Sequence, residues 1–181
     1  MSGLVAAAGW TIRPATGADC AALALVGAAT FLETYAGIID GDAIIAHCAR
    51  EHSEAAYAAL LAQGACGWLA LAATGDAPIG YALLTEPDLP GAQAGDLELK
   101  RIYALSRCHG TGVGKALMAE ALAAAHGYQR ILLGVYQGNA RARSFYARHG
   151  FTEIDSRKFN VGGILHDDVV LARDLACAEA A

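Results

Sequence analysis

Leu97 to Leu105 is rich in branched and aromatic residues, and Leu97 and Leu99 alternate with Glu98 and Lys100. That pattern suits a buried strand with two different faces. The period then changes. His109-Gly110-Thr111-Gly112-Val113-Gly114 carries a glycine at every second position, and Val113, Leu117, Met118, Ala121 and Leu122 recur beyond it at helical spacing. His126 and Gly127 supply a cation for the last turn and a glycine for a left-handed cap. Strand, glycine turn and helix in succession aim free backbone N–H groups and a helix dipole at one point, which suits a phosphate.

The rest of the chain divides by the same criteria. Gly9 to Pro14 reads as a first strand, and Ala15-Thr16 and Asp19 cap a long Ala-rich helix to about Tyr35. Gly41-Asp42 breaks the pattern. A second helical stretch, Ala43 to Ala65, is interrupted near Glu51 to Glu54, where Ser53 caps its second half. Trp68 to Ala73 and Pro78 to Leu84 read as antiparallel strands joined by Thr74-Gly75-Asp76. Glu86 to Gly95, with two prolines and two glycines, is a loop long enough for a substrate lid. Arg130 to Tyr136 is an apolar strand, and Asn139 to Arg148 a short helix capped by Asn139 and ended by Gly150. Phe151 to Val161 and Ile164 to Leu175 form a hairpin around Gly162-Gly163, followed by an Ala-rich, frayed end.

At 181 residues, without a repeat or linker, the chain reads as one domain, 1–181. A net charge of -5 and the lack of a basic tract argue against a nucleic-acid partner. Five cysteines (Cys20, Cys48, Cys66, Cys108, Cys177) without a C-x-x-C pair give no disulfide framework or zinc site, so no metal is expected. The apolar run Cys20 to Leu32 is too short for a bilayer and lacks a basic lead-in, so a cytoplasmic protein without a membrane partner is expected.

Two phosphate motifs fail. A P-loop needs Ser or Thr after Gly114-Lys115, where Ala116 stands, and a leading glycine, where His109 stands. A dinucleotide fingerprint needs a third glycine where Lys115 stands. The stretch instead resembles the GNAT acetyltransferase signature, Gln/Arg-x-x-Gly-x-Gly/Ala, with His109, Gly112 and Gly114 at the fixed positions and His109 the departure. Asn139-Ala140-Arg141-Ala142-Arg143-Ser144-Phe145-Tyr146-Ala147-Arg148-His149-Gly150-Phe151 is similar to the second half of that signature. The resemblance implies an α/β GNAT fold: a mixed, mostly antiparallel seven-stranded sheet flanked by helices, with strands 4 and 5 splayed apart. It also implies acetyl-CoA as co-substrate, held by 110–115 with His109, Asn139 and Tyr146, and by the strand edge Ile102, Tyr103 and Ala104. Within the cradle the residues are Gly110, Thr111, Gly112, Val113, Gly114 and Lys115.

Acetyl transfer to an amine requires a neutral amine, a stabilised oxyanion and a proton for the departing thiolate. By resemblance Tyr146 is the general acid. The alternative is that Ala142, Phe145 and Tyr146 form a helix stripe and only pack, the hydroxyl at the surface. Glu98 matches the glutamate that serves histone-acetylating members as base; the alternative is a solvated carboxylate paired with Lys100 or Arg101. Alternation lapses at Arg101-Ile102-Tyr103, which is compatible with a bulge.

His47 and His52 are five apart, the wrong spacing for a shared metal, and read as surface histidines. His166-Asp167-Asp168 reads as a turn or a substrate contact, and Cys108 as a small packing residue. Phe31 to Ala36, Pro78 to Ala82, Glu98 to Tyr103 and His166-Asp167-Asp168 are similar to a bacterial subgroup that includes spermidine/spermine N-acetyltransferases. That resemblance places Glu33 and Tyr35 in the wall of the amine site, with His166 near the substrate entry. It favours a small amine such as a polyamine and leaves room for a homodimer. A protein or peptide N-terminal acetyltransferase, an antibiotic-modifying one and a silent CoA-binding regulator stay open.

Overall fold

In the computed structural model, residues 9–175 are described. The elements follow in the order β1 (Trp10–Pro14), α1 (Cys20–Tyr35), α2 (Gly41–Glu51), α3 (Glu54–Ala62), β2 (Cys66–Ala72), β3 (Pro78–Thr85), β4 (Asp96–Ala104), α4 (Val113–Ala124), β5 (Arg130–Tyr136), α5 (Ala140–Arg148), β6 (Thr152–Val161) and β7 (Ile164–Asp174). Short 3-10 turns at Gly17–Asp19 and Ser106–Cys108 lead into α1 and toward α4. Residues 176–181, where the frayed end and Cys177 fall, lie outside the described residues.

Seven strands form one sheet in the order β1-β2-β3-β4-β5-β7-β6. Each neighbouring pair is antiparallel except β4 and β5, which run parallel. This is the seven-stranded α/β fold expected from the sequence. On one face, Leu97, Leu99, Ile131 and Leu133 pack beneath Val113, Leu117, Met118 and Ala121 of α4. On the other, Leu69, Leu71, Tyr81 and Leu83 meet Leu23 and Val26 of α1 and Tyr57 of α3.

Capping explains where the helices start. Asp40 accepts from Asp42 and Ala43 N–H, Ser53 from Ala56 N–H, and Asn139 from Ala142 N–H. Gly41-Asp42 is therefore the first turn of α2 and not a break: Asp40 sets the start two residues earlier than expected. Ahead of α1, Thr16 and Asp19 make a reciprocal capping box, and Arg13 clamps Asp19 at 2.9 and 2.7 Å. Residues 17–35 form one helical stretch of 19 residues, long and apolar enough by length and composition to cross a membrane. Its Leu23, Val26 and Phe31 are buried against the sheet and α2, while Leu25 and Leu32 on the other side are exposed.

Two details of β4 shape everything built on it. Between Leu83↔Arg101 and Leu84↔Leu99 the β3–β4 register shifts, leaving Lys100 as an extra residue. The bulge lies one residue before the lapse in alternation, and it exchanges the faces of all that follows. Leu97 and Leu99 point to the α4 side, whereas Arg101 lies against Tyr57 and Tyr103 packs on the α1 side. Further, β4 pairs with β5 only through Asp96↔Arg130, Leu97↔Ile131 and Glu98↔Leu132. Beyond Glu98 the two strands part, while β5 continues to Tyr136 on β7.

The 86–95 loop is tied down. Asp88 N–H donates to Glu98 at 2.8 Å, Arg130 reaches the Gly91 carbonyl at 3.0 Å, and Leu89 is buried.

Candidate active site

The splay of β4 from β5 opens a cavity of about 590 Å³ that runs across the sheet. One end is the N-terminus of α4. Gly112 caps that helix with φ 94°, a left-handed conformation that glycine adopts without a Cβ penalty. The first bond into the helix runs from Ala116 N–H to the Gly112 carbonyl. The N–H groups of Val113, Gly114 and Lys115 therefore have no backbone partner among the described residues, and α4 has no side-chain cap. Unlike α2, α3 and α5, this helix keeps its positive end open.

His109, Gly110, Gly112, Gly114 and Lys115 line this end, with Asn139, Arg141 and Tyr146 across from them and Ile102, Tyr103 and Ala104 along the β4 edge. Thr111 and Val113 are not in the wall. The Thr111 hydroxyl donates to the Cys108 carbonyl at 2.7 Å, and the Val113 side chain is core, which leaves only its N–H to the cradle. Phe145 lies over Gly114 and brings α5 against α4. Cys108 packs at the core margin and also borders the cavity.

Tyr146 is 8% exposed, its ring against Phe145 and Phe151. It does pack, but its hydroxyl is not at the surface, because the residue borders the cavity. Burial, with Tyr103 nearby, pushes its phenol above the ordinary value. Glu98 is 3% exposed, accepts from Asp88 N–H and lies 3.8 Å from Lys100 Nζ. It pairs with Lys100 as the bland reading foresaw, yet it is not solvated and it too lines the cavity.

The far end of the cavity is lined by residues that escaped sequence reasoning. His47 and His52 are 3% and 5% exposed, so they are not surface histidines. His47 shares the buried face of α2 with Ala43 and Ile44 and stacks on Phe31 at 4.3 Å, and His52, which caps the end of α2, has Nδ1 2.9 Å from the Tyr57 hydroxyl, which donates to Tyr81 at 3.1 Å. Burial, reinforced by the charge of Arg101, lowers His47 to about 4 and His52 to about 3. Both are neutral at pH 7. Arg101, Glu51, Arg157 and Asp168 complete the wall.

Of the residues expected at the amine, Tyr35 lines the cavity and Glu33 does not. The Glu33 carboxylate accepts from Ser106 N–H at 2.7 Å and Ser106 Oγ at 3.1 Å, fastening α1 to the turn after β4. His166 lies in a small adjoining recess with Tyr35, Tyr136 and Phe159, edge-on to Tyr136. The 166–168 segment is strand and not turn: Asp168 pairs with Arg157 across β6–β7, and Asp167 with Lys158. Cys20, Cys48, Cys66 and Cys108 are free thiols, and among the described residues no three His, Cys, Asp or Glu side chains gather as for a metal.

An uncapped helix N-terminus beside a parted parallel strand pair makes a site that suits a phosphate-bearing ligand with an extended arm. Residues 38–151 match the family described as acetyltransferase (GNAT), and the chain belongs to that family. Uncharacterised N-acetyltransferases of Mycobacterium tuberculosis and Mycobacterium bovis are 41% identical over 99 residues. The match spans 54% of this chain and 60% of each relative's length. The PaiA N-acetyltransferase of Thermoplasma acidophilum, in complex with coenzyme A, superposes with a TM-score of 0.75 at 22% identity, covering 93% of this chain and 100% of that one. A GCN5-related N-acetyltransferase of Rhodopseudomonas palustris gives a TM-score of 0.71 at 20% identity, covering 96% and 100%. These likenesses establish the fold.

Proposed function

We propose that the chain transfers an acetyl group from acetyl-CoA to the primary amine of a small acceptor, by direct attack with both substrates bound. One observation carries this reading: β4 leaves β5 after Glu98, next to the uncapped N-terminus of α4, and the same cavity reaches Tyr146 and a separate acceptor half.

Acetyl-CoA supplies the activated thioester. The N–H groups of Val113, Gly114 and Lys115 would hold its diphosphate, with Lys115 and Arg141 contributing charge. Strand alternation turns the backbone groups of Tyr103 toward β3 and those of Ile102 toward the gap, so Ile102 is the partner offered to the pantetheine amides and the donor to the charge growing on the acyl oxygen. The Ala104 carbonyl faces the His109 ring nitrogen at 3.0 Å and is less available. Glu98 takes the ammonium proton, directly or through water, and the amine attacks the acyl carbon. As the carbon–sulfur bond breaks, Tyr146 gives its proton to the thiolate, and the phenolate regains one from the former amine nitrogen as that becomes the amide. The phenol is protonated at neutral pH; the upward shift that burial causes makes it a weaker acid and does not itself assist the transfer.

The subgroup resemblance suggests a polyamine, and Asp88, Glu98, Glu51 and Asp168 in the wall are carboxylates that such a cation needs. Three of these four already pair with Lys100, Arg101 or Arg157. The activity is tested by acetyl-CoA consumption over polyamines, amino acids, aminoglycosides and short peptides, alongside calorimetry of acetyl-CoA on Gly112→Val. Acceptor-dependent release of CoA, with binding lost in the folded variant, supports the proposal. Unchanged affinity in Gly112→Val removes the cradle, and acetyl-CoA binding without turnover on any amine favours the silent regulator.

A further inference from the structure

The acceptor half contains buried donors without a partner. Arg101 is 9% exposed, sits over the Tyr57 ring at 5.1 Å and meets Glu51 through Nη2 at 3.3 Å. Its Nη1 has no hydrogen-bond partner among the described residues. The same holds for Nε of Arg157, whose Nη2 is 3.4 Å from Asp168 and whose guanidinium covers the Phe159 ring at 4.9 Å, and for Nδ1 of His47. All three residues line the one cavity. A guanidinium carries only donors, so an orphaned buried N–H there calls for an acceptor oxygen.

Charge by itself does not choose the ligand: Arg50, Lys100, Arg101 and Arg157 in the wall stand against Glu51, Asp88, Glu98 and Asp168, four against four. The orphaned donors do choose. A polyamine brings only further donors to Arg101 and Arg157, whereas a carboxylate offers acceptor oxygens to the fixed fork of a guanidinium.

We infer that the acceptor is an amine that also carries a carboxylate, of the amino-acid class, and that Arg101, in the same cavity wall as Arg157, binds that carboxylate. This rests on the acetyltransferase reading and narrows it. The bulge at Lys100 is what makes it possible, because without the extra residue Arg101 would point to the α4 side of the sheet.

The test compares lysine, glutamate, methionine and phenylalanine with their amides and their decarboxylated amines, and with spermidine. Two readouts are taken: kcat/KM with acetyl-CoA, and calorimetric binding to the CoA-loaded protein. At least one free acid should exceed its own amide and amine tenfold or more in either readout. In Arg101→Gln, checked for folding by its thermal midpoint, that ratio should collapse toward one through KM or Kd, with Arg157→Gln as the second variant should the first not fold. Equal response to acid and amide, preference for spermidine, or no carboxylate-dependent signal in either readout overturns the inference. Carboxylate-dependent binding without acetylation of any amine keeps Arg101 as the carboxylate site but overturns the assignment of that ligand as acceptor, together with the acetyltransferase reading.

Discussion

Arg141, in the first turn of α5, donates to Nδ1 of His109, and Nε2 of the same ring lies 3.0 Å from the carbonyl of Ala104. With Nδ1 accepting from Arg141 and Nε2–H donating to Ala104, the ring links the β4 edge to α5. His109 stands where the family has Gln or Arg, and through it the guanidinium of Arg141 reaches the mouth of the cradle. The first prediction follows. Arg141→Ala should weaken acetyl-CoA binding several-fold, more at low salt than at high, because a partly exposed charge is screened. The sequence alone suggests that His109→Arg preserves or tightens binding. Beside Arg141 it would set two guanidiniums together and lose the tie to Ala104, so weaker binding is expected. Calorimetry at two ionic strengths checks both.

The second prediction concerns stability against pH. The folded state holds His47 at about 4 and His52 at about 3, against 6.5 in a free side chain. Above pH 6.5 neither state takes up a proton there, and the full stability is present. As pH falls below 6.5, the unfolded chain binds protons that the folded one excludes, so stability drops until the folded values are reached. Each histidine contributes up to about 1.4 kcal/mol per pH unit in that window. His47→Gln/His52→Gln should therefore lose less stability than the wild type between pH 6.5 and 4. Urea midpoints over that range decide it, and parallel curves would place the two rings in ordinary solvent.

The third concerns Gly27, in the middle of α1. A Cβ there would stand 2.3 Å from the Tyr57 hydroxyl and 2.5 Å from His52 Nδ1. Alanine gains up to about 1 kcal/mol of helix propensity. Overpacking costs about 1–3 kcal/mol, because Tyr57 is fully buried and cannot swing away. The cost should win. Gly27→Ala is expected to lower the thermal midpoint by a few degrees, at about 2–4 °C per kcal/mol for this chain length. A raised midpoint would show that the His52–Tyr57–Tyr81 chain tolerates displacement.

Much of this site was legible because its signals are local. The glycine turn, the helical stripe from Val113 and the Asn139 cap each depend on residues within a few positions of one another. The acceptor half was not legible for the opposite reason. Glu33 meets Ser106 across 73 positions and Arg101 meets Glu51 across 50, distances over which no periodicity speaks. The spacing of His47 and His52 speaks only against a shared metal, whereas their burial depends on packing against Phe31 of α1 and Tyr57 of α3. The bulge was half visible: the lapse in alternation marks the region, but only the pairing with β3 identifies Lys100 as the extra residue.

Tyr146→Phe is the last prediction. Phenylalanine keeps the ring that packs against Phe145 and Phe151, so the thermal midpoint should stay close to the wild type. The hydroxyl is proposed to act only as the thiolate leaves, so its loss should fall on kcat with little change in KM for acetyl-CoA. General acid assistance is worth about 10²–10⁴-fold, and the drop should lie in or just below that range. Burial raises the phenol above its ordinary value. The alkaline limb of kcat should accordingly lie above the ordinary tyrosine range and be absent from the variant. A tyrosine that merely packs would instead shift the midpoint and leave turnover near normal. Measuring kcat and the thermal midpoint on one preparation separates these outcomes, and normal kcat in Tyr146→Phe would leave thiolate departure to water.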